Sequence, residues 1–106
     1  MLLEGVLYEV LEKADDSAVV HLLPESPIFA AHFPGYPITP GVTVVRMATE
    51  LMGRRLQGLK EVKFVAPLYP DAQVRYEWTL DAEGKADVRV FQLPEAILCA
   101  RMSLSV

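Results

Sequence analysis

A single cysteine, Cys99, in 106 residues excludes an internal disulfide and any cysteine cluster for zinc. Its setting, Ala96-Ile97-Leu98-Cys99-Ala100, reads as buried strand, where a lone thiol packs as a small apolar side chain. Long apolar runs are missing too: none approaches the roughly eighteen residues of a membrane-spanning helix. The first residues, Met1-Leu2-Leu3-Glu4-Gly5-Val6, have neither a basic leader nor a cleavage signal, so a cytoplasmic location and no membrane partner are expected. Basic charge is scarce, with 10 Lys and Arg against 14 Asp and Glu and a net charge of −4, and no long basic run is present, which argues against nucleic acid as the main ligand. Internal repeats, low-complexity segments and linkers are absent, and a single domain over 1–106 is expected. No metal or redox cofactor is implied.

Apolar residues are plentiful. They make up 52% of the chain, high for so short a sequence, and part of that surface is expected to be covered by a partner subunit. Arg54, Arg55, Lys60 and Lys63 fall within ten positions near the end of the expected helix. There they either complement the helix dipole or form a docking patch for an acidic protein.

The pattern predicts an α+β fold. Residues 2–12 and 17–23 read as two strands joined through Ala14-Asp15-Asp16, an opening hairpin. Residues 24–40 hold five of the eight prolines and are expected to contain only a short extended piece around Ile28 and Phe29. The run Val42, Val44, Val45, Ala48, Leu51 and Met52 predicts a buried helix over 41–57, ending near Gly58. Beyond it the period becomes strand-like over 60–65, 73–80, 85–93 and 96–104, most clearly in Val74-Arg75-Tyr76-Glu77-Trp78-Thr79-Leu80. Turns at Asp81-Ala82-Glu83-Gly84 and Leu93-Pro94-Glu95 predict an antiparallel meander of the last three strands. About six strands curled around one helix leave one side of that helix to be covered by dimerisation. His21, between Val20 and Leu22, is expected to face solvent.

The richest stretch is His32-Phe33-Pro34-Gly35-Tyr36-Pro37-Ile38-Thr39-Pro40-Gly41. Each proline fixes its own φ and restricts the residue before it, so the loop is predicted to be stiff, holding one imidazole in place just before a helix N-terminus. Unpaired amides at that terminus polarise a carbonyl, while an imidazole moves a proton near neutral pH. Those are two of the parts required for elimination next to a thioester.

This motif, continued through Val42, resembles the signature of the FabZ-type 3-hydroxyacyl-(acyl-carrier-protein) dehydratases, which have the hotdog fold. The resemblance implies a catalytic role for His32, a thioester carbonyl held by the backbone amide of Gly41 or Val42, Phe33 beside the substrate, and acyl carrier protein as partner. It also exposes a departure. The family's catalytic Glu or Asp stands fourteen residues after the histidine, where this chain has Arg46, and its common Gln four residues later is Glu50 here.

Three substitutes for the missing acid follow: His32 returns the proton it removed in a syn elimination, Glu50 acts from one turn along the helix, or another chain supplies the acid. A simpler role for Arg46 and Glu50 is an i,i+4 ion pair. Turned into the pocket, Arg46 would instead lower the imidazole pKa and bind an anionic substrate group. The leading expectation is a homodimeric dehydratase of 3-hydroxyacyl thioesters. Its rivals are a non-catalytic acyl-binding or assembly subunit of a dehydratase, and a hotdog thioesterase.

Overall fold

The computed structural model describes residues 2–31 and 38–106. It contains β1 (Tyr8–Lys13), β2 (Ser17–Leu22), α1 (Pro27–Ala31), α2 (Gly41–Met52), β3 (Gly58–Phe64), β4 (Gln73–Leu80), β5 (Lys85–Leu93) and β6 (Ile97–Ser105). All six strands form one antiparallel sheet in the order β1-β2-β4-β5-β6-β3. The meander β4-β5-β6 is as expected, and β3 returns to pair with β6, so β1 and β3 are the two edges.

Strict alternation decides which face of the sheet meets the helix. Val20, Val74, Tyr76, Val88, Val90, Met102 and Leu104 are buried, whereas Gln73, Thr79, Asp87, Arg89 and Arg101 between them are exposed. Against the apolar face lie Val44, Val45, Met47, Ala48 and Leu51 of α2, completing one core. The buried Tyr76 hydroxyl donates to the carbonyl of Val44 at 2.9 Å, tying the helix to a central strand.

Four local expectations need correction. The helix stops at Met52, not 57, because Gly53 adopts φ 66° and closes the end: its N–H and that of Arg54 bond to the Glu50 and Thr49 carbonyls. Arg54 and Arg55 therefore follow the helix instead of ending it. Residues around Ile28 and Phe29 are the helical turn α1, not an extended piece, with Ser26 Oγ accepting from the Ile28 N–H at 3.3 Å and Pro27 as the first helical residue. Residues 2–7 are not strand. They fold over with Gly5 at φ 83° and bury Leu3 and Leu7. Finally, Val42 is not part of the buried stripe and stands 77% exposed at the start of α2.

Burial is uneven at the β3 edge. Leu59 and Phe64, on the helix side of the strand, and Val65 just after it are all more than half exposed. The helix leaves this edge only partly covered.

Candidate functional site

The site is built around the N-terminus of α2. Pro40 precedes it in an extended conformation, φ −61° and ψ 140°, and among the described residues no side chain caps the terminus. The Pro40 carbonyl takes the first helical hydrogen bonds, from the N–H groups of Thr43 at 3.0 Å and Val44 at 3.2 Å. Among the described residues, the N–H groups of Gly41 and Val42 have no acceptor. They are the free donors that every helix start leaves, here aimed outward with the positive end of the helix dipole.

Two devices hold that terminus still. Thr39 donates both its N–H, at 2.8 Å, and its hydroxyl, at 3.0 Å, to the carbonyl of Leu68, so the entry to α2 is clamped to the loop after β3. The tip of the Phe64 ring lies against Gly41 from the other side, where an added Cβ would stand 2.8 Å from Cζ. Glycine at position 41 therefore answers to packing against this ring.

An apolar slot of about 360 Å³ opens beside the terminus, between Ile38, Thr39, Gly41 and Val44 on one side and residues 64–68, Cys99 and Ala100 on the other. Cys99 is buried in its wall, and that burial pushes the thiol pKa up, so it stays protonated. A larger recess, about 580 Å³, lies over the polar outer face of the sheet, where Asp16, Glu61, Glu77 and Asp87 surround Arg89 and Arg101. Its lining is more polar than that of the slot and includes no helix terminus, so the slot is the better acyl site.

Of the residues singled out from sequence, Gly41 and Val42 stand together at this terminus. His32 and Phe33 lie outside the described residues. Arg46 and Glu50 form the i,i+4 pair, Nε to Oε2 3.4 Å, with Arg46 half-exposed. Glu50 is drawn away from the slot. Nine residues after Gly41, it stands about 13 Å along the helix, and both its oxygens accept from the Leu3 N–H at 2.9 Å. Oε1 also accepts from the Glu4 N–H at 3.3 Å and from the Tyr8 hydroxyl at 2.9 Å. Burial, then the hydrogen bond and charge of Glu50, push the Tyr8 pKa well up, keeping the phenol a donor. This carboxylate clasps the N-terminal segment to the helix.

His21 is occupied elsewhere, on the outer face, with Nδ1 3.0 Å from Glu9 Oε1 and Nε2 2.7 Å from Asp71 Oδ1. Sequence reading passed over Phe64 and Thr39. The alternation of β3 places Phe64 on the same face as Val62, but only the fold brings that face to Gly41.

The ApeI-like family model, described as ApeI dehydratase, matches residues 11–101. A 3-hydroxyacyl-[acyl-carrier-protein] dehydratase FabZ from Koribacter versatilis is 31% identical over 91 residues, which cover 73% of this chain and 58% of that relative. Among solved structures, the dehydratase heterocomplex ApeI:P from Xenorhabdus doucetiae superposes with a TM-score of 0.71 at 20% identity, covering 92% of both chains. The PaaI protein of the phenylacetic acid degradation operon of E. coli gives 0.62 at 10% identity, over 96% of this chain and 83% of that one. The sheet and its central helix have the hotdog arrangement of these neighbours.

Proposed function

The chain belongs to the ApeI-like dehydratase family, and on that premise we propose that it removes water from 3-hydroxyacyl thioesters carried on acyl carrier protein. The observation that carries this reading is the pair of amides, Gly41 and Val42, that have no acceptor among the described residues and start the helix where Gly41 lines an apolar slot. A thioester oxygen placed on them gains charge as its α-proton leaves, and fixed amide dipoles stabilise that charge. The acyl chain then lies along Val44, Leu68 and Ala100.

His32 is the base. It takes the α-proton, the electrons move to the carbonyl oxygen, and the resulting enolate expels the β-hydroxyl. The imidazolium returns its proton to that hydroxyl, so water and an α,β-enoyl thioester leave and His32 is again neutral. This syn route requires no second acid, in keeping with Arg46 at the position of the family carboxylate and with a Glu50 committed to the N-terminal clasp. Losing one positioned acid typically costs roughly 10² to 10⁴ in rate, so slow turnover is expected.

The protein acts as a homodimer in the cytoplasm. A second copy laid along β3 would satisfy that edge and cover Leu59 and Val65. Arg54 and Arg55, exposed just after α2, form the docking surface for the acidic carrier protein.

One observation favours a second reading. With Arg46 in place of the carboxylate, the chain is instead a non-catalytic, acyl-binding half of a dehydratase whose other subunit brings the acid; the ApeI:P neighbour, which shares the fold, is a dehydratase heterocomplex. The deciding experiment follows absorbance at the enoyl-thioester band with 3-hydroxyacyl carrier protein of several chain lengths, for the parent and His32→Ala. Turnover abolished by the substitution is expected. No turnover at any length by the parent overturns the catalytic reading in favour of the binding subunit.

A further inference from the structure

Phe64 is the last residue of β3 and pairs with Ala100 of β6. Past the strand end, the N–H groups of Val65 and Ala66 both bond to the Cys99 carbonyl, at 2.8 and 3.3 Å, so the backbone that carries the ring is fixed. The ring is half exposed, yet its tip meets Gly41 so closely that an added Cβ would lie 2.8 Å from Cζ and 2.9 Å from Cε2. One edge of an aromatic side chain thus bridges the end of a strand and the first residue of the helix, at the mouth of the slot.

We infer that Phe64 determines substrate specificity at the α-carbon of the acyl group, admitting unbranched acyl thioesters and rejecting those with an α-substituent. The inference rests on the proposed carbonyl site. With the carbonyl oxygen on the Gly41 or Val42 amide, the α-carbon is one bond from the carbonyl carbon and enters the first few ångströms of the slot. The Phe64 tip already occupies the space that a methyl on Gly41 would need. An α-methyl on the acyl chain pointing toward β3 meets the same ring edge. With its backbone fixed beside the Cys99 carbonyl, the ring moves only about its own two side-chain torsions. A straight chain has only hydrogens there and runs past the ring toward Val44, Leu68 and Ala100.

The test measures equilibrium binding by calorimetry of two unreactive probes, the pantetheine amides of octanoic and α-methyl-octanoic acid, to the parent chain and to Phe64→Ala. One methyl in an apolar pocket is worth about 10- to 200-fold. The parent is expected to prefer the straight probe by about that factor, and Phe64→Ala to reduce the preference below roughly threefold by gaining affinity for the branched probe. Phe64→Leu keeps apolar bulk but withdraws the ring tip, and it reads the same preference should the alanine variant fold poorly. Gly41→Ala should weaken binding of the straight probe in the parent but not beside Phe64→Ala, where the added methyl has room.

An undiminished preference in both Phe64 variants overturns the specificity role while leaving the acyl site standing. A parent that binds both probes equally overturns it as well. A parent that binds neither overturns the proposed function itself, and the inference with it.

Discussion

Glu50→Ala removes the carboxylate that accepts from the Leu3 and Glu4 N–H groups and the Tyr8 hydroxyl, and that also pairs with Arg46. Its side chain is only 9% exposed, so water does not freely take over its contacts. The substitution leaves the Leu3 N–H and the Tyr8 hydroxyl without their acceptor. Each such loss costs about 1–3 kcal/mol. The half-exposed Arg46 pair adds a few tenths at most. A loss of about 3 kcal/mol is expected, which for a domain of this size lowers the Tm by roughly 12 °C or more. Glu50→Gln keeps one acceptor but sets an amide NH₂ beside donors, and about half that loss is expected.

Urea and thermal unfolding measure both variants, and hydrogen exchange at the Leu3 and Tyr8 amides locates the loosening in the N-terminal segment. The same proteins separate the clasp from catalysis. Folded Glu50→Gln should turn over at the parental rate. A stability change below about 0.5 kcal/mol in Glu50→Ala, or a roughly 10²-fold fall in the rate of the folded Gln variant, would refute the structural role and return Glu50 to the catalytic step.

Tyr76→Phe removes the buried hydroxyl that donates to Val44 and should cost about 0.5–1.5 kcal/mol in urea unfolding; an unchanged midpoint would mean that the tether does not hold α2 to β4. The hydrogen bonds of His21 to Asp71, then to Glu9, raise its pKa in the folded state. Stability from this bridge is therefore complete below the unfolded value near 6.5 and is lost as pH rises through the raised folded value. Because Glu9 and Asp71 are exposed, solvent screening limits the gain to under about 1 kcal/mol. Unfolding free energies of the parent and His21→Gln should converge as pH rises from acidic to mildly alkaline, and parallel curves would remove the bridge from the account. Reversing Arg54 and Arg55 to Glu should weaken carrier-protein binding, most strongly at low salt; an affinity that does not move would place the docking surface elsewhere.

How much was legible in advance follows the range over which each feature is decided. The meander could be read because alternation in residues 73–80 and 85–93, with turn residues between them, is a local signal that sheet pairing obeys directly. The helix start is legible in Pro40-Gly41, but the apolar pattern carries the expected end five residues beyond Met52. Gly53 and Gly58 carry the same local signal, and only the left-handed backbone at Gly53 distinguishes them. The segment 2–7 has strand-like composition, yet Leu3 and Leu7 are buried by folding over toward Glu50, a partner 47 residues away from Leu3.

The candidate site divides along the same line. His32, Gly41 and the replacement of the family carboxylate by Arg46 are facts of a short contiguous motif and its fixed spacing, so the amino-acid sequence alone determined the family and the chemistry to look for. Where Glu50 points, that Phe64 rests on Gly41, and that Thr39 is clamped to Leu68 were decided by the tertiary structure. Each joins groups more than twenty positions apart. No local propensity encodes such contacts, because they form only when the sheet curls its edge strand and the loop after it back to the beginning of the helix, and when the N-terminal segment folds over toward its other end.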